Sequence, residues 1–200
     1  MKKIEFEIID IHAHLGRYFQ FPILDHDVQS VLQKADELGI GRICVSHILG
    51  LCYDVRQGNL LTIQAAHQYP HRIMAGGVLD PREPEEQIYE EFHRLQAHVA
   101  MWNELHPALH CYPINGPGYR VILDLISTQP KPVLFHTDES DPYSSPDLLL
   151  GLLPNYPDIP IIIGHSGNII GGFEKAMKIA CQFDNVFLDS TFSRNYYGIM

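Results

Sequence analysis

His12 and His14, two residues apart in Asp10-Ile11-His12-Ala13-His14, are the side chains whose type and spacing speak first of chemistry. On a strand, residues two apart point to the same face. The two imidazoles then stand side by side, a spacing that can chelate one metal ion. With 12 histidines in 200 residues, the pair taken alone fits two chance histidines at a strand end equally well. Two more histidines change that balance. His136 follows Val133-Leu134-Phe135 and His165 follows Ile161-Ile162-Ile163-Gly164, runs apolar enough to be strands buried on both faces. A lone strand-end histidine is usually structural, whereas four at the strand ends of one βα array point to a metal centre. Neutral imidazole suits zinc, and also iron, nickel or copper.

These histidines need a scaffold that brings strand ends together. Short β-branched runs alternate with longer amphipathic stretches along the chain. Strands are expected at Phe6–His14, Arg42–His47, Arg72–Leu79, Val99–His106, Pro132–His136, Ile161–His165 and Val186–Asp189. Helices are expected at Asp25–Gly39, Leu60–Gln68, Pro84–His98, Tyr119–Ser127, Pro146–Leu153 and Phe173–Cys181. In the first helix Val28, Val31, Leu32, Ala35 and Leu38 recur at helical spacing, Asp25 or Asp27 can cap the start, and Gly39 ends it. A repeated βα unit implies a parallel sheet with right-handed crossovers. A doubly wound sheet and a TIM-type barrel both satisfy that pattern. The polar residues at the strand ends (His12 and His14, His47, Asp80, His106, His136, His165, Asp189) favour the barrel, in which those ends converge on one mouth. No Gly-x-Gly-x-x-Gly follows the first strand, as a dinucleotide-binding doubly wound sheet would require. The expected fold is therefore α/β, a single (β/α)-barrel domain over residues 1–200 with about seven of eight βα units.

Composition narrows the function classes. The chain is 46% hydrophobic and 19% charged, which is ordinary for a globular protein. A net charge of -10 and a pI near 5.5 argue against a broad nucleic-acid-binding surface. No apolar run reaches the roughly 20 residues of a membrane span. Glu5, Glu7 and Asp10 break any signal-peptide core, so a cytoplasmic protein is expected. Cys44, Cys52, Cys111 and Cys181 form no close pair and read as reduced thiols. The expected partner is a small molecule, without nucleic acid or membrane; a homodimer is compatible with the sequence.

Four segments together resemble the amidohydrolase superfamily. They are Ile9-Asp10-Ile11-His12-Ala13-His14, Leu105-His106-Pro107-Ala108-Leu109-His110-Cys111-Tyr112-Pro113, the strand-five His136, and Ile163-Gly164-His165-Ser166-Gly167. The resemblance runs from Ile8 to about Ser193. It is strongest to the branch that holds aminocarboxymuconate semialdehyde decarboxylase, resorcylate-type decarboxylases and lactone hydrolases. It implies a divalent metal, zinc first and manganese, iron or nickel otherwise, held by His12, His14 and His136. It implies substrate contact or acid/base work for His165. The superfamily's strand-eight aspartate has no match, and Asp189 resembles its strand-seven segment, whose aspartate is not a ligand. On that reading the chain stops about 60 residues short of a complete barrel. Many relatives carry Lys where this chain has Glu104. By alternation Glu104 shares a face with His106, where it could bridge metals or contact substrate, or else be a salt-bridged strand-end acid. His110 could also contact substrate. His47 reads as structural, and Arg17 as a surface residue rather than a carboxylate clamp.

The implied activity is metal-dependent hydrolysis of a C–N or C–O bond in a small carboxylated substrate, with non-oxidative decarboxylation second. Two rivals remain open. A TatD-like phosphodiesterase also opens on His-x-His, though Leu-His-Pro and Ile-Gly-His-Ser-Gly speak against it. A non-catalytic metal-binding barrel, or an inactive fragment with exposed strand edges, is the rival of another class.

Overall fold

In a computed structural model residues 6–192 are described. Seven parallel strands form one sheet in the order β1 (Ile8–Leu15), β2 (Ile40–His47), β3 (Ile73–Gly77), β4 (Met101–Leu105), β5 (Val133–His136), β6 (Ile161–Gly164) and β7 (Val186–Leu188). Spatial order equals chain order, so there is no switch point, and the doubly wound alternative falls. The helices are α1 (Val28–Leu38), α2 (Ile48–Cys52), α3 (Val55–Gln68), α4 (Glu85–Leu95), α5 (Pro107–His110), α6 (Pro117–Ser127) and α7 (Ile170–Ala180).

One cluster reports the curl of the sheet. Cys44, Met101, Leu134 and Ile162 are buried against one another, with Ile11 and Met74 packed on them. These come one each from β2, β4, β5, β6, β1 and β3. Residues from non-adjacent strands touch only when the sheet curls on itself, so this layer is the barrel interior. The main core lies on the outer face, where Trp102 is fully buried and stacks on Phe92 of α4 at 5.2 Å. Such large buried rings supply much of the apolar burial that holds helices to a sheet. The two ends of the sheet, β1 and β7, each have one strand partner among the described residues. Ile8, Ile9, Phe187 and Leu188 are exposed there. No helix among the described residues is long and apolar enough to cross a membrane.

The local signals hold where chemistry is local. Asp27 caps α1 by accepting from the Gln29 and Ser30 amides, and Gly39 ends it at φ 72°, a conformation glycine adopts without cost. Other expectations are corrected. The Pro146–Leu153 stretch is not an α-helix but two 3-10 turns, Pro146–Gly151 and Leu153–Asn155, interrupted by Leu152. The third helix starts at Val55 rather than Leu60, because Asp54 caps it through the Gln57 amide. The short helices α2 and α5 were not anticipated; His47 and His106 cap them with their own ring nitrogens. The fourth helix stops at Leu95, short of the expected His98.

Two register shifts position the interior side chains. Between the pairs Asp10↔Ile43 and Ala13↔Val45, β1 has two residues where β2 has one. Between Trp102↔Val133 and Leu105↔Phe135, β4 has two residues where β5 has one. Each is a bulge that turns an extra side chain toward the barrel interior. His12 lies in the first and Glu104 in the second.

Candidate metal centre

The C-terminal ends of β1, β4, β5 and β6 open into a cavity of about 750 Å³. His12, His14, Glu104, His106, His136 and His165 all line it. Their centre is Glu104, which is 2% exposed. Its Oε1 lies 3.0 Å from His136 Nδ1, 3.3 Å from His165 Nε2 and 3.6 Å from His12 Nε2. Its Oε2 lies 3.5 Å from His14 Nε2. The expected trio His12, His14 and His136 is thus brought together around a carboxylate, not side by side alone. Two three-residue sets have ligand atoms mutually within 4.8 Å: His12, Glu104 and His165, and Glu104, His106 and His136.

Three of the imidazoles are held from behind. His12 Nδ1 donates to Asp189 Oδ2 at 2.7 Å. That bond fixes the tautomer and leaves Nε2 as the free nitrogen, the arrangement that orients metal-binding histidines. His12 Nε2 is buried and has no hydrogen-bond partner among the described residues. His14 Nδ1 shares a 2.9 Å hydrogen bond with Ser46 Oγ of β2. His165 Nδ1 donates to the Thr191 carbonyl at 2.5 Å, which turns its Nε2 toward Glu104 and to within 3.0 Å of His136 Nδ1. A buried, unpartnered nitrogen beside imidazoles and a buried carboxylate is a donor set that fits a divalent transition metal.

The charges agree. Burial pulls His12 down, but Glu104 and Asp189 together outweigh it and raise its pKa to about 10. Without an ion, a proton on His12 offsets the carboxylates; an ion would supply that charge and displace the proton. Burial pulls Glu104 up, and the facing His106, His12 and His136 more than compensate, holding it well below the usual carboxylate range. Burial likewise opposes the charged form of His165, yet the hydrogen bond and charge of Glu104 leave its pKa raised.

His106 does something different. Its ring stacks on His136 at 3.7 Å, and its Nδ1 accepts from the Leu109 amide. Burial keeps it neutral, so its proton sits on Nε2 and the ring is a donor. His110, expected among the substrate contacts, does not line this cavity. It is buried on the far side of α5, where its Nε2 donates to the Leu51 carbonyl. Arg17 pairs with His26 at the surface, and His47 caps α2, as a structural residue does.

The loop carrying His165 is strained. His165, Ser166, Gly167 and Asn168 have φ of 57°, 47°, 81° and 64°. Non-glycine residues reach that region at a cost of roughly 1–3 kcal/mol each. The surroundings impose it. Asp189 Oδ2 accepts from the His165 amide, the Asp189 carbonyl from Ser166 Oγ, Thr137 Oγ1 from the Gly167 amide, and Asp138 Oδ2 from Asn168 Nδ2. Asp189 and Ser46 are side chains of the centre that the sequence did not mark as site residues: Asp189 read only as a strand-end acid, and Ser46 was passed over. Their signals were a strand-end acid and a polar residue sharing the Cys44 face of β2.

The family model for the amidohydrolase family matches residues 9–197. Among solved structures, a TIM-barrel protein from Bordetella bronchiseptica aligns with a TM-score of 0.73 at 11% identity, covering 95% of this chain and 78% of that one. A probable 2-pyrone-4,6-dicarboxylic acid hydrolase from Acinetobacter baumannii, with citric acid bound, aligns at 0.63 and 18% identity over 92% and 70% of the two chains. A 5-carboxyvanillate decarboxylase from Novosphingobium aromaticivorans, with bound manganese, aligns at 0.63 and 14% identity over 88% and 69%. Identities this low establish a shared barrel fold and nothing finer. A search of curated protein sequences gave no match. The family match spans nearly the whole described chain, and this protein belongs to the amidohydrolase family.

Proposed function

We propose that the chain is a metal-dependent hydrolase of a C–N or C–O bond in a small carboxylated substrate. The observation that carries the reading is the buried Glu104 carboxylate ringed by four imidazoles, one of which, His12, keeps an unpartnered buried nitrogen. His12, His14 and His136 would hold the ion beside Glu104. Such an ion supplies Lewis acidity and activates water near neutral pH.

The protein's own residues do the rest. Asp189 and Ser46 hold His12 and His14 in the orientation that presents Nε2. Glu104 favours the charged form of His165, which can offer a proton at Nε2 to the departing group. Among the described residues no lysine or arginine lines the cavity, so a substrate carboxylate would meet the ion and side-chain donors such as the His106 Nε2–H. Tyr18, Phe21 and Leu109 form an apolar wall, with Asp138 and Asn168 among the polar lining.

A proton on His165 would also serve a second reaction, non-oxidative decarboxylation, where it would go to the carbon that loses carbon dioxide. Among the structural neighbours, one is named a probable hydrolase, with citric acid bound, and one a decarboxylase, with manganese bound. Zinc- or manganese-loaded protein should turn over lactones, amides or aromatic acids, with the loss of His12→Ala and His165→Ala variants. Turnover that is absent across both substrate sets, or indifferent to these two histidines, would overturn the enzymatic reading.

A further inference from the structure

A second cavity, of about 680 Å³, lies beyond α5, between the start of α3 and α4. That is within the size range of small-molecule sites. At its base is His110, 2% exposed. Its Nε2–H must be the donor to the Leu51 carbonyl at 3.2 Å, since a carbonyl only accepts. Burial pushes the ring toward neutrality. With Nε2 committed to that carbonyl, Nδ1 is the acceptor of the neutral ring, and it has no hydrogen-bond partner among the described residues. Facing it at 3.9 Å is Asp80 Oδ1, another acceptor. Asp80 Oδ1 already accepts from the Arg82 amide and Nε at 2.9 Å, so it is the buried His110 Nδ1 that lacks a donor, with a carboxylate beside it.

The charge around the opening says what kind of donor. Arg82 already holds the Asp80 carboxylate through Nε and Nη2, and Arg94 holds Glu91. Glu83, Glu86 and Glu90 line the same cavity with no ion-pair partner among the described residues, against Arg56 as the unpaired cation. The uncompensated balance is negative. We propose that this cavity is a second ligand site, which takes a small organic cation whose primary ammonium donates to His110 Nδ1 and Asp80. Nothing in the proposed reaction uses these residues. Leu51 lines both cavities, and α5 runs from its cap His106 to His110, so the two sites adjoin without sharing a polar group.

The test is titration of metal-loaded, ¹⁵N-histidine-labelled protein with 1,4-diaminobutane, beside 1,4-butanediol and succinate as neutral and anionic probes. Saturable binding of the diamine alone, with a shift of the His110 Nδ1 resonance and none at His165, supports the proposal. The double variant Glu86→Gln/Glu90→Gln should weaken binding about tenfold. His110→Phe should abolish it in a variant whose melting shows it folded; should that variant fail to fold, the glutamate pair and the His110 resonance decide. No saturation, equal binding of the diol, or an unmoved His110 signal overturns the proposal, as does a diamine-soaked crystal with only a water on Nδ1.

Discussion

Asp189, just past the last strand of the sheet, accepts the Nδ1 proton of His12 in the first strand at 2.7 Å. The two residues are 177 positions apart, and β1 and β7 do not pair. The same carboxyl accepts from the backbone of His165. One side chain therefore ties together β1, the strained loop after β6 and the end of β7.

Asp189→Asn should leave the fold intact and loosen the metal. An amide cannot accept the His12 proton with the same strength, and losing such an outer partner typically costs about 10–100-fold in metal affinity. Competition against a chelator of known affinity measures it. An unchanged affinity would mean that His12 is not a ligand.

Glu104→Gln should lower bound zinc or manganese well below the wild-type stoichiometry by elemental analysis. It removes the single charge that all four imidazoles share. The metal-free variant should also be less stable, since breaking a buried ion pair by removing one partner costs about 3–5 kcal/mol, and an isosteric amide should recover part of that.

Metal uptake should depend on pH with a definite sign. His12 has its pKa raised from 6.5 to about 10, so its proton competes with the ion throughout the neutral range. Apparent affinity should rise with pH up to about 10, and calorimetry in buffers of different ionisation enthalpy should report proton release on binding. Metal-free stability runs the other way. A raised folded pKa gives stability that is complete below 6.5 and lost as pH climbs to about 10. Thermal melts of metal-free protein from pH 6.5 to 10 should fall on this account, and melts of loaded protein should fall less.

Gly167→Ala should damage the site from outside it. At φ 81° a side chain is strained, and a Cβ would stand 2.5 Å from the Gly172 carbonyl carbon. The loop must shift, carrying His165 with it. A loss of roughly 1–3 kcal/mol in denaturant unfolding is expected, with a larger relative loss in kcat/KM. Ala at Gly39, where nothing lies within 4 Å, is the control for φ alone.

Much of the molecule was legible in the sequence because the signals are local. Strand runs, helix caps at Asp27 and Gly39, and histidines placed at strand ends depend on neighbours a few residues away. His12 and His14 share a face by the period of a strand, with no knowledge of anything else. That was enough to give the βα repeat, the barrel and the imidazoles of the centre.

What only the tertiary structure decided is how distant strand ends converge. Glu104 became the centre rather than an edge acid because a bulge in β4 turns it inward, and a bulge depends on the register with β5. Asp189 came to His12 because the sheet curls, bringing its first and last strands within reach. His110, four residues from His106, left the site because the single turn of α5 faces it into a different cavity. Pairing register, curl and the facing of a short helix are set by contacts between residues far apart in the chain, and no local period encodes them.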